Sequence, residues 1–93
     1  MDSKSTEELQ ALISRPNQIM LYGPAIKELE KRGADYTMVF PHLIDGAVSK
    51  KQIDRMLAWG SIETYFPEVA KEVEYDVNRP SKEAKAFLKG LKD

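Results

Sequence analysis

The spacing of apolar residues constrains this chain most, because they recur every three or four residues along almost its whole length. That period places apolar side chains on one side of a helix, whereas a half-buried strand would alternate at every second residue. Six such stretches are separated by short breaks that contain proline, glycine, aspartate or asparagine. The pattern predicts an all-α protein in which residues 1–93 form one domain of about six short helices.

Serines and glycines mark the expected ends of these helices. Ser5 begins a capping box, and Ser49 and Ser81 stand before later helical stretches in the same way. Gly33 and Gly60 follow apolar stretches at the position where glycine commonly ends a helix. We therefore expect the fourth helix to end at Gly60 and a fifth helix to begin directly after it.

The chain also shows an internal repeat at an offset of 31 residues, which relates the second, fourth and sixth helices. Equivalent positions are apolar in each helix, and they form three columns: Tyr22, Ile53 and Ala84; Ala25, Met56 and Phe87; Ile26, Leu57 and Leu88. The repeat predicts that these columns lie in the core, with Leu57 at its centre. Trp59 falls outside the columns, which makes it a candidate contact residue.

Three helix pairs, roughly 5–33, 35–60 and 61–92, with a proline in the first helix of the later pairs, resemble a short HEAT-like α-solenoid. The residues that carry the resemblance are the run Phe40-Pro41-His42-Leu43-Ile44 and the apolar columns. The resemblance implies three stacked antiparallel helix pairs and a non-catalytic scaffold, whose second helices line a binding face.

Charge is unevenly divided between the two sets of helices, although the net charge is only −1. The proposed second helices hold ten of the fourteen basic residues and five of the fifteen acidic ones. This bias predicts a basic face that binds the acidic surface of a protein partner, with Trp59 as an apolar anchor. The candidate partner-binding residues are Lys27, Lys51, Arg55, Trp59, Lys82, Lys85 and Lys89.

Residues 46–57 allow an alternative, because they resemble the turn and recognition helix of a helix-turn-helix protein. In that reading Ile53 and Met56 are buried, while Arg55 and neighbouring polar residues face a DNA groove. The fold would then be a compact helical bundle and the protein a small DNA-binding regulator. The near-neutral net charge makes nucleic acid the less favoured partner.

The sequence offers little for catalysis or cofactor binding. It has no cysteine and one histidine, His42, which Asp45 could orient as a general base. A structural role for His42 is the stronger expectation, since no serine or cysteine nucleophile stands near it in sequence. We expect no cofactor, no metal site and no enzymatic activity. The polar start and the absence of a long apolar stretch predict a cytoplasmic protein that does not enter a membrane.

Overall fold

A computed structural model describes residues 3–92 of the chain. This part of the protein is all-α, as predicted, and forms a small bundle of six helices with one 3₁₀ turn, Thr37–Val39. The helices are α1 (Thr6–Ile13), α2 (Ile19–Lys31), α3 (Phe40–Ala47), α4 (Gln52–Tyr65), α5 (Pro67–Lys71) and α6 (Lys82–Lys92). Over the described residues, no helix has both the length and the apolarity needed to cross a bilayer.

Two of the predicted helix starts have the expected side-chain caps. The Glu8 backbone N–H donates to Ser5 Oγ at 3.1 Å, and the Ser5 N–H donates back to Glu8 Oε1 at 2.9 Å, which completes the capping box of α1. This second bond is the main reason that the pKa of Glu8 lies below its ordinary value. At the start of α6, the Ala84 N–H donates to Ser81 Oγ at 3.0 Å.

The end of α2 also follows its sequence signal. Gly33 takes the left-handed conformation, with φ of 69°, and the Ala34 N–H returns to the Leu29 carbonyl at 2.9 Å. This arrangement is a Schellman motif, which satisfies carbonyl groups left unpaired at the helix end. Earlier in the same helix, Pro24 lies inside α2 rather than at its start.

The helices pack around one core in which α3 and α4 form the centre. α1 packs against α2, α2 against α4, and α6 against α3, while the short α5 lies on α4. The two helices of the third predicted pair thus contact different members of the second pair. The fully buried side chains come mainly from α1 to α4, with Leu88 from α6: Leu9, Ile13, Ile26, Leu29, Leu43, Ile44, Ile62 and Leu88.

The sequence expectation for α4 is wrong in two respects. The helix does not end at Gly60 but continues to Tyr65, so it joins the predicted fourth and fifth helices and crosses the boundary placed between residues 60 and 61. It is also rotated relative to the repeat columns: Ile53 is 53% exposed, Met56 is 52% exposed, and Leu57 is only partly buried. The buried face of α4 instead consists of Arg55, Ala58, Trp59 and Ile62.

Candidate interaction surface

Four lysines form a ridge along α6, which we call the lysine ridge: Lys82, Lys85, Lys89 and Lys92. Their spacing of three, four and three residues places them on one side of the helix, over about 15 Å of its length. An adjoining side of α6 is buried through Ala84 and Leu88 against α3. Folding therefore fixes α6 in an orientation that leaves the ridge facing outward.

Only one lysine of the ridge is paired with a carboxylate in the described part of the chain. Lys92 Nζ lies 2.6 Å from Asp45 Oδ1, which links the end of α6 to α3. Lys82 and Lys89 are exposed and Lys85 is half-buried, and none of these three has a carboxylate oxygen within 4.0 Å among residues 3–92. The ridge thus presents positive charge that the described fold does not neutralise directly.

Lys51 lies near the Lys92 end of the ridge. It is exposed just before the first turn of α4 and lines a cleft of about 390 Å³ that Asp45 also lines. Asp45, which binds Lys92, therefore lies between Lys51 and the end of α6.

Lys27 lies apart from these lysines. It is exposed on α2, in a shallow depression that it shares with Pro24, Glu28, Glu30 and Lys31. α2 packs against α1, α3 and α4, whereas α6 packs against α3. Carboxylates also surround Lys27, so its neighbourhood is mixed in charge rather than basic.

Arg55 is not an exposed partner-binding residue, contrary to the sequence expectation. It is 9% exposed, and its guanidinium group donates to the carbonyl oxygens of Ser49, Val77 and Asn78 at 3.0, 2.7 and 3.4 Å. These bonds fix the loop before α6 against α4. Arg55 therefore cannot face a DNA groove from this position, and its role is structural.

Trp59 is likewise internal, which corrects its assignment as a free apolar anchor. It is 7% exposed and stacks on Tyr75, with ring centroids 4.2 Å apart. The Tyr75 hydroxyl donates to the Ala47 carbonyl at 2.6 Å, and burial raises the pKa of this tyrosine. The repeat placed Trp59 outside the predicted core columns, whereas Trp59 belongs to the core and the α4 positions of those columns are exposed or only partly buried.

His42 serves a structural role, as expected. Its Nε2 donates to the Ser14 carbonyl at 3.0 Å, and its ring stacks with Tyr22. Asp45, the expected orienting residue, binds Lys92 instead. The buried Nδ1 atom of His42 has no hydrogen-bond partner among the described residues. No group of three or more potential metal-ligating side chains occurs in residues 3–92.

The sequence analysis missed an apolar surface on the outer side of α4, which we call the α4 outer face: Ile53, Met56, Leu57 and Gly60. Next to it, a hollow of about 410 Å³ lies between α4 and the Val77–Asn78 loop, with Trp59 and Glu63 among its lining residues. The repeat assigned these apolar residues to the core, so the signal was present but attributed to the wrong side of the helix.

Comparisons with protein-family models, with curated proteins and with solved structures find no match to this chain. The HEAT-like relationship therefore stays a prediction from the sequence, and the surfaces described above carry the functional argument.

Proposed function

We propose that this protein is a non-catalytic interaction module that binds an acidic protein partner through the lysine ridge of α6. The observation that supports this proposal is that Lys82, Lys85 and Lys89 lie along one side of a helix and have no carboxylate oxygen within 4.0 Å among residues 3–92. Lys51 extends the basic surface at the Lys92 end. Arg55 and Trp59, which are buried on α4, support the fold and make no direct contact with the partner.

The geometry of the ridge favours a helical partner. Basic residues at intervals of three and four match acidic residues that recur at the same intervals on a second helix, because both share the same rise per residue. Lysines on a surface mainly raise the association rate and select partners by charge, so we expect binding to weaken as salt increases. A cytoplasmic location remains our expectation from the sequence.

Charge reversal of the ridge tests the proposal. Lys82→Glu, Lys85→Glu and Lys89→Glu together should abolish partner binding and leave the helical circular-dichroism spectrum unchanged, since Lys82 and Lys89 are exposed and Lys85 is only half-buried. Lys82 is the first residue of α6, where an acidic residue interacts favourably with the helix dipole, so stability should not fall for that change. Lys27→Glu with Lys31→Glu on α2 is the matched control and should leave binding intact.

Photo-cross-linking from position 85, with position 27 as the control site, would identify the partner and its class. Cross-linking of an acidic protein only from position 85 is the expected result. Duplex DNA is the competing partner, and its binding would show a log–log salt slope of about −0.9 for each phosphate neutralised. Tight binding to DNA that requires the ridge would contradict the proposal, as would unaltered protein binding by the triple variant.

A further inference from the structure

The α4 outer face consists of apolar residues at positions 53, 56, 57 and 60, which is the spacing of a helix that packs against another helix. Its inner face is already occupied by the core through Ala58, Trp59 and Ile62. Ile53 and Met56 remain more than half exposed, and Leu57 does not belong to the core cluster.

No packing contact in the described part of the chain requires a glycine at position 60. It lies within α4, and no atom other than neighbouring backbone of its own helix lies within 4 Å of a Cβ built at this position. A glycine inside a helix lowers helix stability relative to alanine. At an open position, no packing contact of the fold offsets this loss of stability. Gly46 differs, since a Cβ there would lie 2.7 Å from Ala58 Cβ. The open space at Gly60 instead allows a second molecule to pack closely against α4.

The charges at the two ends of α4 indicate which molecule packs against the α4 outer face. Lys50 and Lys51 stand at its amino end, where Asp54 is the acidic residue of the first turn, and Glu63 stands near its carboxyl end, where the last turn has no basic residue. The two lysines and Glu63 are opposite to the arrangement that the helix dipole favours, whereas Asp54 agrees with it. In an antiparallel pair of identical helices, however, each amino end lies beside the carboxyl end of the other helix. The lysines of one copy then lie beside Glu63 of the other copy, so their charges attract each other. A parallel pair would instead bring like charges together.

We propose that the α4 outer face binds a second copy of this chain, with the two α4 helices antiparallel across a two-fold axis near Leu57. Residues at equal distances from the point midway between Met56 and Leu57 then face each other, so Ile53 of one copy packs beside Gly60 of the other. Lys50 likewise lies close to Glu63 of the other copy. Such an isologous contact uses the same surface twice.

The proposed contact involves one 14-residue helix from each copy. We expect it to fall below the roughly 1,200 Å² of total buried surface that is usual for stable specific interfaces. We therefore expect a reversible dimer with a dissociation constant in the micromolar to millimolar range. Because the lysine ridge lies on α6, which packs on α3 rather than α4, the dimer would carry two ridges and bind a partner with two acidic helices more tightly.

Sedimentation equilibrium of the full chain, from micromolar to millimolar protein, tests this proposal. Ile53→Asp and Gly60→Leu should each weaken dimerisation by at least about tenfold, because one places a charge in the contact and the other fills the space above residue 60. Gly60→Leu should not destabilise the fold, since the position is open. Leu91→Asp, the same kind of change on α6, is the control and should leave the dimer intact.

A charge exchange tests the antiparallel arrangement separately. Lys50→Glu and Glu63→Lys should each weaken the dimer, and the double variant should restore it. Failure of this rescue would overturn the antiparallel geometry. A chain that stays monomeric at every concentration would overturn the proposal and leave the face to a different protein. Dimerisation that Ile53→Asp leaves unchanged would also overturn it, without affecting the proposed role of the lysine ridge.

Discussion

α3 packs closely against α4 at Gly46, and adding one methyl group there gives a quantitative test of the packing. A Cβ built on Gly46 would lie 2.7 Å from Ala58 Cβ, 3.1 Å from Ile19 Cδ1 and 3.5 Å from the Asp54 carbonyl oxygen. The Ile19 methyl can move, but Ala58 Cβ is attached directly to the backbone of α4. Accommodating Gly46→Ala therefore requires the two helices to separate.

Two opposing effects set the magnitude. Alanine is a better helix former than glycine, which favours the variant by about 0.8–1 kcal/mol. Overpacking a dense core costs about 1–3 kcal/mol, and the contact with Ala58 is shorter than real Cβ atoms adopt. We expect the clash to prevail, so that Gly46→Ala lowers the free energy of unfolding by about 0.5–2 kcal/mol. Gly60→Ala, in the open position on α4, should instead raise it by about 0.5–1 kcal/mol.

Urea denaturation followed by Trp59 fluorescence and by circular dichroism provides the measurement, since Trp59 is the single tryptophan and stacks within the core. A double-mutant cycle makes it specific. Ala58→Gly should destabilise the wild type, but in the Gly46→Ala background it removes the clash, which predicts a coupling of about 1–3 kcal/mol. A coupling near zero, or a stabilising effect of Gly46→Ala equal to that of Gly60→Ala, would refute the close contact of α3 with α4.

Two further changes test the core and the capping box. Leu43→Ala, at a fully buried position on α3, should cost about 2–5 kcal/mol, whereas Leu57→Ala on the α4 outer face should cost clearly less; equal losses in urea melts would restore Leu57 to the core. Hydrogen bonds from Ser5 lower the pKa of Glu8 below 4.5, so this carboxylate stabilises the fold above that pH and loses its effect as the pH falls through the folded-state pKa. Wild type should therefore exceed Glu8→Gln in melting temperature near neutral pH by a margin that disappears in acid, and a margin independent of pH would contradict this origin.

Local signals in the sequence were sufficient to predict the fold class and several helix ends. The capping box at Ser5, the serine before α6 and the Schellman glycine at position 33 each act within six residues of the chain, so the nearby sequence contains the whole interaction. The lysine ridge was predictable for the same reason, since its lysines lie on one helix. The absence of a carboxylate partner for Lys82, Lys85 and Lys89 among residues 3–92 was not, because that depends on which helices surround α6.

The position of Arg55 shows why the sequence did not predict which side of α4 faces the core. An arginine among polar neighbours at a helix start is typical of an exposed site, and both functional hypotheses placed it at a surface. Its partners at Val77 and Asn78 lie more than twenty residues further along the chain, in a loop that carries no sequence pattern. Only the folded arrangement brings those carbonyl groups to the guanidinium, where burial without a hydrogen-bond partner would be unfavourable for both.

The spacing of apolar residues could not predict which side of α4 is buried, because apolar residues occupy both sides of this helix. The contact with α3 determines which side is buried. Gly46 leaves room for a small residue on the facing helix, and Ala58 meets that requirement, whereas Met56 or Leu57 in its place would hold the helices apart. Trp59 gains a stacking partner in Tyr75 only in the same orientation. The larger apolar residues are consequently turned outward by the packing of α3, where the proposed dimer would cover them.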